Sequence, residues 1–182
     1  MADVRMVKSE QDAAAAFSAL AAVDVLGFDT ESKPTFLKGE VSTGPHLVQL
    51  ATDSTAWLFQ IGSQPPSDAI LRVLRTVLES PAILKVGFGL ADDIKRLRAK
   101  LGIETVHVVD LATAMKQKSE RNSLGAKTAV ARFFGQALQK SKKITTTNWA
   151  LPRLSEKQIL YAADDAHVAL KLYRHWQDLK QK

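Results

Sequence analysis

Four carboxylates of this 182-residue chain lie in or beside strongly apolar stretches. They are Asp29 and Glu31 in LGFDTES, Asp93 in VGFGLADDIKRL, and Asp165 in ILYAADDAHVAL, where Tyr161 stands one helical turn earlier. An ionised carboxylate that is removed from water is costly unless a partner compensates its charge, and carboxylates that converge also repel one another. Divalent cations would remove both penalties at once. We therefore expect the chain to fold so that these acids meet, and we interpret the pattern as a metal-dependent active site.

The charge balance indicates a polyanionic substrate. The chain carries 25 Lys and Arg against 19 Asp and Glu, which gives a formal net charge of +6. If four acids are committed to cations, the remaining surface is more basic still, and such a surface suits nucleic acid. The alternative is that the net charge only keeps the protein in solution. Length and composition fit one domain over residues 1–182.

Composition also excludes several classes of site and location. Cysteine is absent, which excludes disulfides, thiolate zinc sites and cysteine nucleophiles. The alanine-rich segment that follows Ser9 begins with an S-x-x-D helix start, so we interpret it as a helix and not as a secretory signal. No apolar run is long enough to cross a membrane. We predict a soluble, intracellular (cytoplasmic) protein with no membrane partner.

The order of predicted elements indicates an α/β fold. We predict strands over 23–29, 46–51, 56–61, 82–86 and 105–109, with a hairpin turn at 53–55 between the second and the third. Helices are predicted over 9–22, 66–79, 90–101, 111–118 (capped by Asp110) and 123–134. A basic irregular segment over 140–154 precedes a long final helix that Ser155 opens with an S-x-x-Q capping box. An antiparallel meander followed by parallel strands implies a mixed central sheet of five or six strands with helices on both faces.

Spacing places the acids in pairs. In a strand, the side chains of Asp29 and Glu31 point to the same face and can share a metal ion, although a strand that ends in a polar turn gives the same pattern. Tyr161 and Asp165 are four residues apart on the final helix, on its core-facing side. An ordinary core tyrosine is the alternative for Tyr161.

The third acid is ambiguous between two neighbours. Asp92 and Asp93 both open the helix after the VGFG turn, where the helix dipole alone favours an acid. The spacing to Leu97, one turn further on, favours Asp93. Asp92 stays open.

The order D-x-E, then V-G-x(5)-D, then Y-A-A-x-D resembles the DEDDy group of 3′→5′ exonucleases on the ribonuclease H-like fold. Werner-type exonuclease domains and the catalytic domain of ribonuclease D are the members that it resembles most, over about residues 23–173. The run Asn148-Trp149, Leu154-Ser155 and Gln158 that leads to Tyr161 adds to the likeness.

The resemblance implies a role for each residue. It implies that two Mg²⁺ or Mn²⁺ ions are held by Asp29, Glu31, Asp93 and Asp165, with Asp29 bridging them. Tyr161 would orient the attacking water and help to deprotonate it. Since a phenol has a pKa near 10, positioning describes that role better than base catalysis. The products would be nucleoside 5′-monophosphates.

Nucleic-acid contacts are predicted in two places. Lysines and hydroxyl side chains before the final helix suit phosphate contacts, and we select Lys140, Lys142, Lys143, Asn148 and Arg153. The alternative is a solvated loop, and we expect Trp149 to be its buried anchor. We also expect Thr30 and Phe36, beside the first motif, to contact the substrate, with Phe36 as a wedge against the terminal base; packing of Phe36 is the alternative.

The predicted function is metal-dependent 3′→5′ exonuclease hydrolysis. DNA is favoured over RNA, because the run around Trp149 is more similar to Werner-type domains. Ribonuclease D-like RNA trimming is an alternative, as is a catalytically silent module that binds nucleic acid or protein. Ser32 departs from Werner-type domains, which often carry an aromatic residue at this place. We also expect no appended helical RNA-binding domain of the kind that ribonuclease D carries. Expected partners are DNA or RNA 3′ ends and repair or replication proteins.

Overall fold

The computed structural model describes residues 3–37, 39–117, 119, 121–138 and 141–181. Its strands are β1 Asp3–Val7, β2 Val25–Glu31, β3 Leu47–Ala51, β4 Thr55–Gln60, β5 Leu84–Gly87 and β6 Val108–Asp110. Its helices are α1 Glu10–Leu20, α2 Asp68–Leu78, α3 Ala91–Leu101, α4 Leu111–Ala114, α5 Ala126–Phe134, α6 Lys142–Thr145 and α7 Glu156–Lys180. Within these ranges, no helix is both long and apolar enough to cross a lipid bilayer.

The strands form one six-stranded mixed sheet in the order β1-β4-β3-β2-β5-β6. The pairs β2–β3 and β3–β4 are antiparallel, whereas β2–β5 and β5–β6 are parallel. The predicted meander followed by parallel strands is therefore confirmed. Buried side chains from α1, α2 and α3 pack on one face of the sheet, and those from α5 and α7 pack on the other.

Strand β1 is not among the five strands predicted from the sequence, and it brings the number of strands in the sheet to six. It pairs in parallel with β4 at the edge of the sheet. The strand has only five residues and includes the charged Asp3 and Arg5, so it lacks the continuous apolar run that marks the inner strands. Charged side chains on a short edge strand also discourage pairing with other chains.

Local sequence signals set the helix ends as predicted. Ser9 and Asp12 form a capping box at α1, and Ser155 and Gln158 form another at α7. Gly102 ends α3 in the left-handed conformation, with φ 62°. Such a residue satisfies terminal carbonyls without the steric cost that a side chain would bring.

Three predicted elements are shorter than expected. The strand predicted over 105–109 forms only over Val108–Asp110, and His107 before it has a left-handed φ of 51°. The helix after Asp110 ends at Ala114, and α5 begins at Ala126 instead of residue 123. Apolar periodicity alone does not reveal where a turn interrupts such short elements. The basic segment, predicted to be irregular, contains the short helix α6.

Candidate active site

Strand β2 sends alternate side chains to opposite faces of the sheet. Phe28 packs in the core beneath α1–α3, whereas Gly27 lies against α7. A Cβ atom at Gly27 would lie 1.9 Å from the carbonyl oxygen of Ala166, so only glycine permits this approach of the strand to the helix. Since side chains two residues apart share a face, Asp29 and Glu31 also point towards α7.

Three of the predicted acids meet where β2 faces α7. Carboxylate oxygens of Asp29, Glu31 and Asp165 all lie within 4.8 Å of one another. Glu31 and Asp165 are only 8% and 9% exposed. The Asp29 carboxylate also accepts a hydrogen bond of 2.9 Å from the backbone N–H of Thr30. The convergence expected from spacing is therefore present for these three residues.

Asp93 approaches from the other face of the sheet and lies outside that cluster. Its carboxylate accepts a hydrogen bond from the hydroxyl of Thr30. Burial raises the pKa of Asp93, and the Thr30 bond and the nearby Arg96 partly oppose that rise. Asp92 is 77% exposed and lies 3.9 Å from Arg96, so only Asp93 of this pair is buried beside β2.

The turn before α3 is held by Asp110, which was predicted as a helix cap. Its carboxylate accepts from the N–H of Ala112 at 2.9 Å and so caps α4. It also accepts from the N–H groups of Gly89 and Leu90 at 2.9 and 3.1 Å. Asp110 therefore fixes the turn from which α3 presents Asp93.

Tyr161 lies half-buried on the same helix as Asp165. Its hydroxyl oxygen is 3.0 Å from Oγ1 of Thr145. Burial, followed by the charge of Asp165, raises the pKa of Tyr161 well above its ordinary value of 10.0. The phenol therefore keeps its proton at neutral pH, which agrees with a positioning role and not with a base.

The predicted nucleic-acid contacts divide between surface and interior. Lys143, Asn148 and Arg153 are exposed on the segment before α7. Phe36 is 79% exposed, so it is not packed in the core. Thr30 is only 7% exposed, and its hydroxyl is used by Asp93. Lys140 and the side chain of Lys142 lie outside the described residues.

Trp149 is fully buried, as predicted for the anchor of the basic segment. Its indole N–H donates to the carbonyl of Thr145 at 3.3 Å. This burial leaves its ring no face for stacking on a base.

The sequence analysis missed Gln49, which lies directly opposite Asp29 on β3. Residues directly opposite each other in an antiparallel pair point to the same face, so the Gln49 side chain lies on the α7 side. Gln49 is fully buried, and neither its amide nitrogen nor its amide oxygen has a hydrogen-bond partner among the described residues. A lone amide in an otherwise apolar strand was the signal that could have identified it.

These residues fit a site for divalent cations. Carboxylate oxygens are the ligands that Mg²⁺ and Mn²⁺ prefer. Three buried or half-buried carboxylates this close together repel one another unless a positive charge lies between them. The unpaired amide of Gln49 beside Asp29 is a further polar group that a hydrated ion would satisfy.

Comparison with known proteins identifies the family. The family model described as 3′-5′ exonuclease matches residues 4–179. The chain is 31% identical over 154 residues to the bifunctional 3′-5′ exonuclease/ATP-dependent helicase WRN of Mus musculus, covering 83% of this chain and 11% of that protein. It is 29% identical over 159 residues to a 3′-5′ exonuclease of Arabidopsis thaliana, covering 85% of this chain and 53% of that protein. The chain thus spans at most about half the length of these relatives.

Solved structures share the fold. The EXO domain of Aedes aegypti Nibbler aligns with a TM-score of 0.80 at 23% identity, covering 96% of this chain and 87% of that one. Trypanosoma brucei RNase D aligns with a TM-score of 0.84 at 21% identity, covering 95% and 64%. Escherichia coli RNase D aligns with a TM-score of 0.78 at 22% identity, covering 97% and 46%. The ribonuclease H-like fold is confirmed, and the chain belongs to the 3′-5′ exonuclease family of enzymes.

Proposed function

We propose that this protein is a metal-dependent 3′→5′ exonuclease that hydrolyses the terminal phosphodiester bond of nucleic acid and releases nucleoside 5′-monophosphates. The observation that carries the proposal is the convergence of three carboxylates within 4.8 Å at the contact of β2 with α7. Membership of the 3′-5′ exonuclease family supports it. A silent binding module is disfavoured, because it has no need to keep three mutually repelling acids together.

The proposed site holds two Mg²⁺ or Mn²⁺ ions. Asp29, Glu31 and Asp165 would hold the ions, and Asp93 would add a fourth carboxylate from α3. When bound, a pair of such cations would supply activation of a water and stabilisation of the leaving oxygen. Gly27 contributes by allowing α7 close enough for its acid to join those of β2.

Tyr161 orients the attacking water through its hydroxyl group. An ordinary phenol pKa near 10 already keeps the proton on the hydroxyl at neutral pH, and burial raises the pKa of Tyr161 further, so the hydroxyl orients the water by hydrogen bonding and does not remove its proton. The basic segment before α7 holds the phosphate backbone through Lys143 and Arg153, together with Lys140 and Lys142. The exposed ring of Phe36 stacks on the terminal base.

DNA is the substrate that we favour, and RNA is the second candidate. The preference for DNA rests on the run around Trp149, which is similar to Werner-type domains, whereas the similarity in fold to Escherichia coli RNase D, an exoribonuclease, supports RNA. We also propose that residues 1–182 form a single exonuclease domain that acts inside the cell with repair or replication proteins. The family match over residues 4–179 supports the single domain.

The test is digestion of end-labelled DNA and RNA oligonucleotides of matched sequence with Mg²⁺, with Mn²⁺ and with EDTA. We expect stepwise shortening from the 3′ end that EDTA abolishes. Asp29→Ala should abolish cleavage while oligonucleotide binding persists, and the exposed Asp92→Ala should cut at the wild-type rate. Cleavage in EDTA, or an active Asp29→Ala enzyme, would contradict the site assignment. The ratio of DNA to RNA turnover decides the substrate.

A further inference from the structure

The hydroxyl of Tyr161 has a hydrogen-bond partner in the basic segment, Thr145, which was not predicted as a site residue. Thr145, the last residue of α6, places its Oγ1 3.0 Å from the tyrosine oxygen. The two residues are 16 apart in the chain, so the contact is tertiary and not a consequence of helix geometry. Asp165 acts on the same phenol from within α7, since its charge and a hydrogen bond both raise the tyrosine pKa.

This double attachment orients the tyrosine proton. A phenol has one proton to donate and a lone pair with which to accept. Either oxygen can be the donor in this contact, and the Thr145 hydroxyl also donates to the carbonyl of Ser141 at 3.3 Å. In either sense the contact fixes the direction of the phenol C–O–H group relative to the acidic cluster, where a water molecule would be held. Without Thr145, the hydroxyl turns about its C–O bond with one constraint fewer.

The backbone of Thr145 is itself anchored in the core. Its carbonyl accepts from the indole N–H of the fully buried Trp149. Two residues further on, the Thr147 hydroxyl accepts from the amide of Gln158 at 3.0 Å and donates to the carbonyl of Ile144 at 2.6 Å. The end of α6 is therefore fixed to α7, while Lys143 in the same helix is exposed.

We propose that Thr145 is a positioning residue for Tyr161, which aims the phenol at the attacking water and couples it to the basic segment that holds the nucleic acid. The inference rests on the proposed function, because it assumes that Tyr161 orients the water. Thr145 does not touch the reacting atoms. It acts only through the tyrosine.

The experiment is a double-mutant cycle between Thr145→Val and Tyr161→Phe, with Thr145→Ser as the conservative control. Valine keeps the branched shape and removes the hydroxyl. We expect Thr145→Val to lower the single-turnover cleavage rate by about fivefold, the loss typical of one neutral hydrogen bond. KM should remain unchanged, and Thr145→Ser should restore the rate. In the Tyr161→Phe background, Thr145→Val should have no further effect.

A second measurement does not depend on catalysis. The chain has only two tyrosines, so protein labelled with fluorotyrosine should give two ¹⁹F resonances, and Tyr161→Phe assigns the signal of Tyr161. Thr145→Val should shift that signal and leave the signal of Tyr173 in place, whereas Thr145→Ser should shift it little. Thr145→Ala replaces Thr145→Val in both measurements if thermal melting shows that the valine variant is unfolded.

The outcomes separate the two hypotheses. If Tyr161→Phe cuts as fast as the wild type, the proposed role of the tyrosine is wrong. If Tyr161→Phe is slow but Thr145→Val slows both backgrounds equally, or leaves both the rate and the ¹⁹F signal unchanged, the positioning role of Thr145 is wrong while the proposed function stands.

Discussion

The two sides of β2 carry different parts of the candidate site. On the α7 side, Asp29 and Glu31 meet Asp165 across a contact that is close at the level of the backbone. On the α3 side, the hydroxyl of Thr30 holds Asp93 by a hydrogen bond, above a closely packed apolar core. The α7 side therefore brings three carboxylates together, whereas the single carboxylate on the α3 side has a hydrogen-bond donor.

This difference teaches how one strand serves both stability and chemistry. The odd-numbered residues of β2 face α7, where the carboxylates repel one another at a candidate site for cations. The even-numbered residues face α1–α3, where Leu26 and Phe28 are fully buried. Because burial of apolar surface is the main stabilising term, the second face can offset the cost of the first.

The largest expected effect comes from closing the space at Gly27. Gly27→Ala would place a Cβ atom 1.9 Å from the carbonyl oxygen of Ala166, so α7 must move away from β2. A displacement of about 1 Å can cost on the order of 100-fold in rate, and overpacking costs about 1–3 kcal/mol of unfolding free energy. Single-turnover cleavage and thermal melting measure both effects.

The control for this prediction is Gly125→Ala. A Cβ atom at Gly125 would meet no atom within 4 Å, and its φ of −78° suits any residue. We expect wild-type cleavage and melting. A Gly27→Ala enzyme that behaves like this control would show that the close approach of helix and strand is not needed.

The second prediction concerns the hydrogen bond between Thr30 and Asp93 on the α3 side. Thr30→Val removes the hydroxyl that donates to Asp93 and leaves a buried carboxylate without that donor. The free energy of unfolding should fall by about 1–3 kcal/mol, and cleavage should fall with it because Asp93 loses its orientation. Chemical denaturation and cleavage assays measure the change, and Thr30→Ser should resemble the wild type. If the valine and serine variants have the same stability and the same cleavage rate, the Thr30 hydroxyl does not orient Asp93.

The third prediction concerns the unpaired amide on the α7 side. Gln49→Leu removes two buried polar atoms that have no partner among the described residues, so the metal-free protein should gain about 1 kcal/mol of stability. The same change should reduce the rise in melting temperature that Mn²⁺ produces. A variant that is destabilised, yet responds to Mn²⁺ like the wild type, would show that Gln49 has only a structural role.

The smallest effect is expected where α7 is tied to the start of β2 at the surface. The guanidinium of Arg174 lies 2.8 Å from Asp24, and the two side chains are 37% and 71% exposed. The hydrogen bond from Arg174 lowers the pKa of Asp24 below its ordinary 3.8, so the unfolded chain binds more protons in acid. The stabilisation is therefore complete above pH 3.8 and is lost as the pH falls through the lower folded-state pKa.

Asp24→Asn measures this contribution. At neutral pH the variant should be less stable by about 0.2–1 kcal/mol, as is usual for exposed ion pairs. In acid its melting temperature should converge on that of the wild type. A difference that persists unchanged in acid would assign the effect to something other than the charge of Asp24.

Much of the fold could be predicted because local signals agree with tertiary packing. The apolar run that ends at Asp29, the capping boxes at Ser9 and Ser155, and the turn between β3 and β4 all predicted elements that the structure contains. The spacing of Asp29 with Glu31 placed those acids on one face. The short edge strand β1 was missed, since its pairing partner β4 lies about 50 residues away and no local sequence pattern indicates a strand there.

The rest of the site depends on contacts that no spacing encodes. The approach of α7 to Gly27, the hydrogen bond between Thr30 and Asp93, and the orphaned amide of Gln49 each arise from two distant segments. Whether Phe36 is exposed or packed likewise could not be decided from the sequence, because an apolar residue in a turn-rich segment is compatible with both positions.

The alternation along β2 also explains how easily this site could be lost. Inserting one residue just before Asp29 would leave the apolar start of the strand intact, yet it would exchange the faces of every residue after the insertion. The two acids would then point at the helices on the wrong side, and the threonine would point at α7. Such a protein would lose its chemistry in a single step and would also bury two carboxylates against an apolar core, so insertions and deletions in this strand should inactivate and destabilise the molecule together.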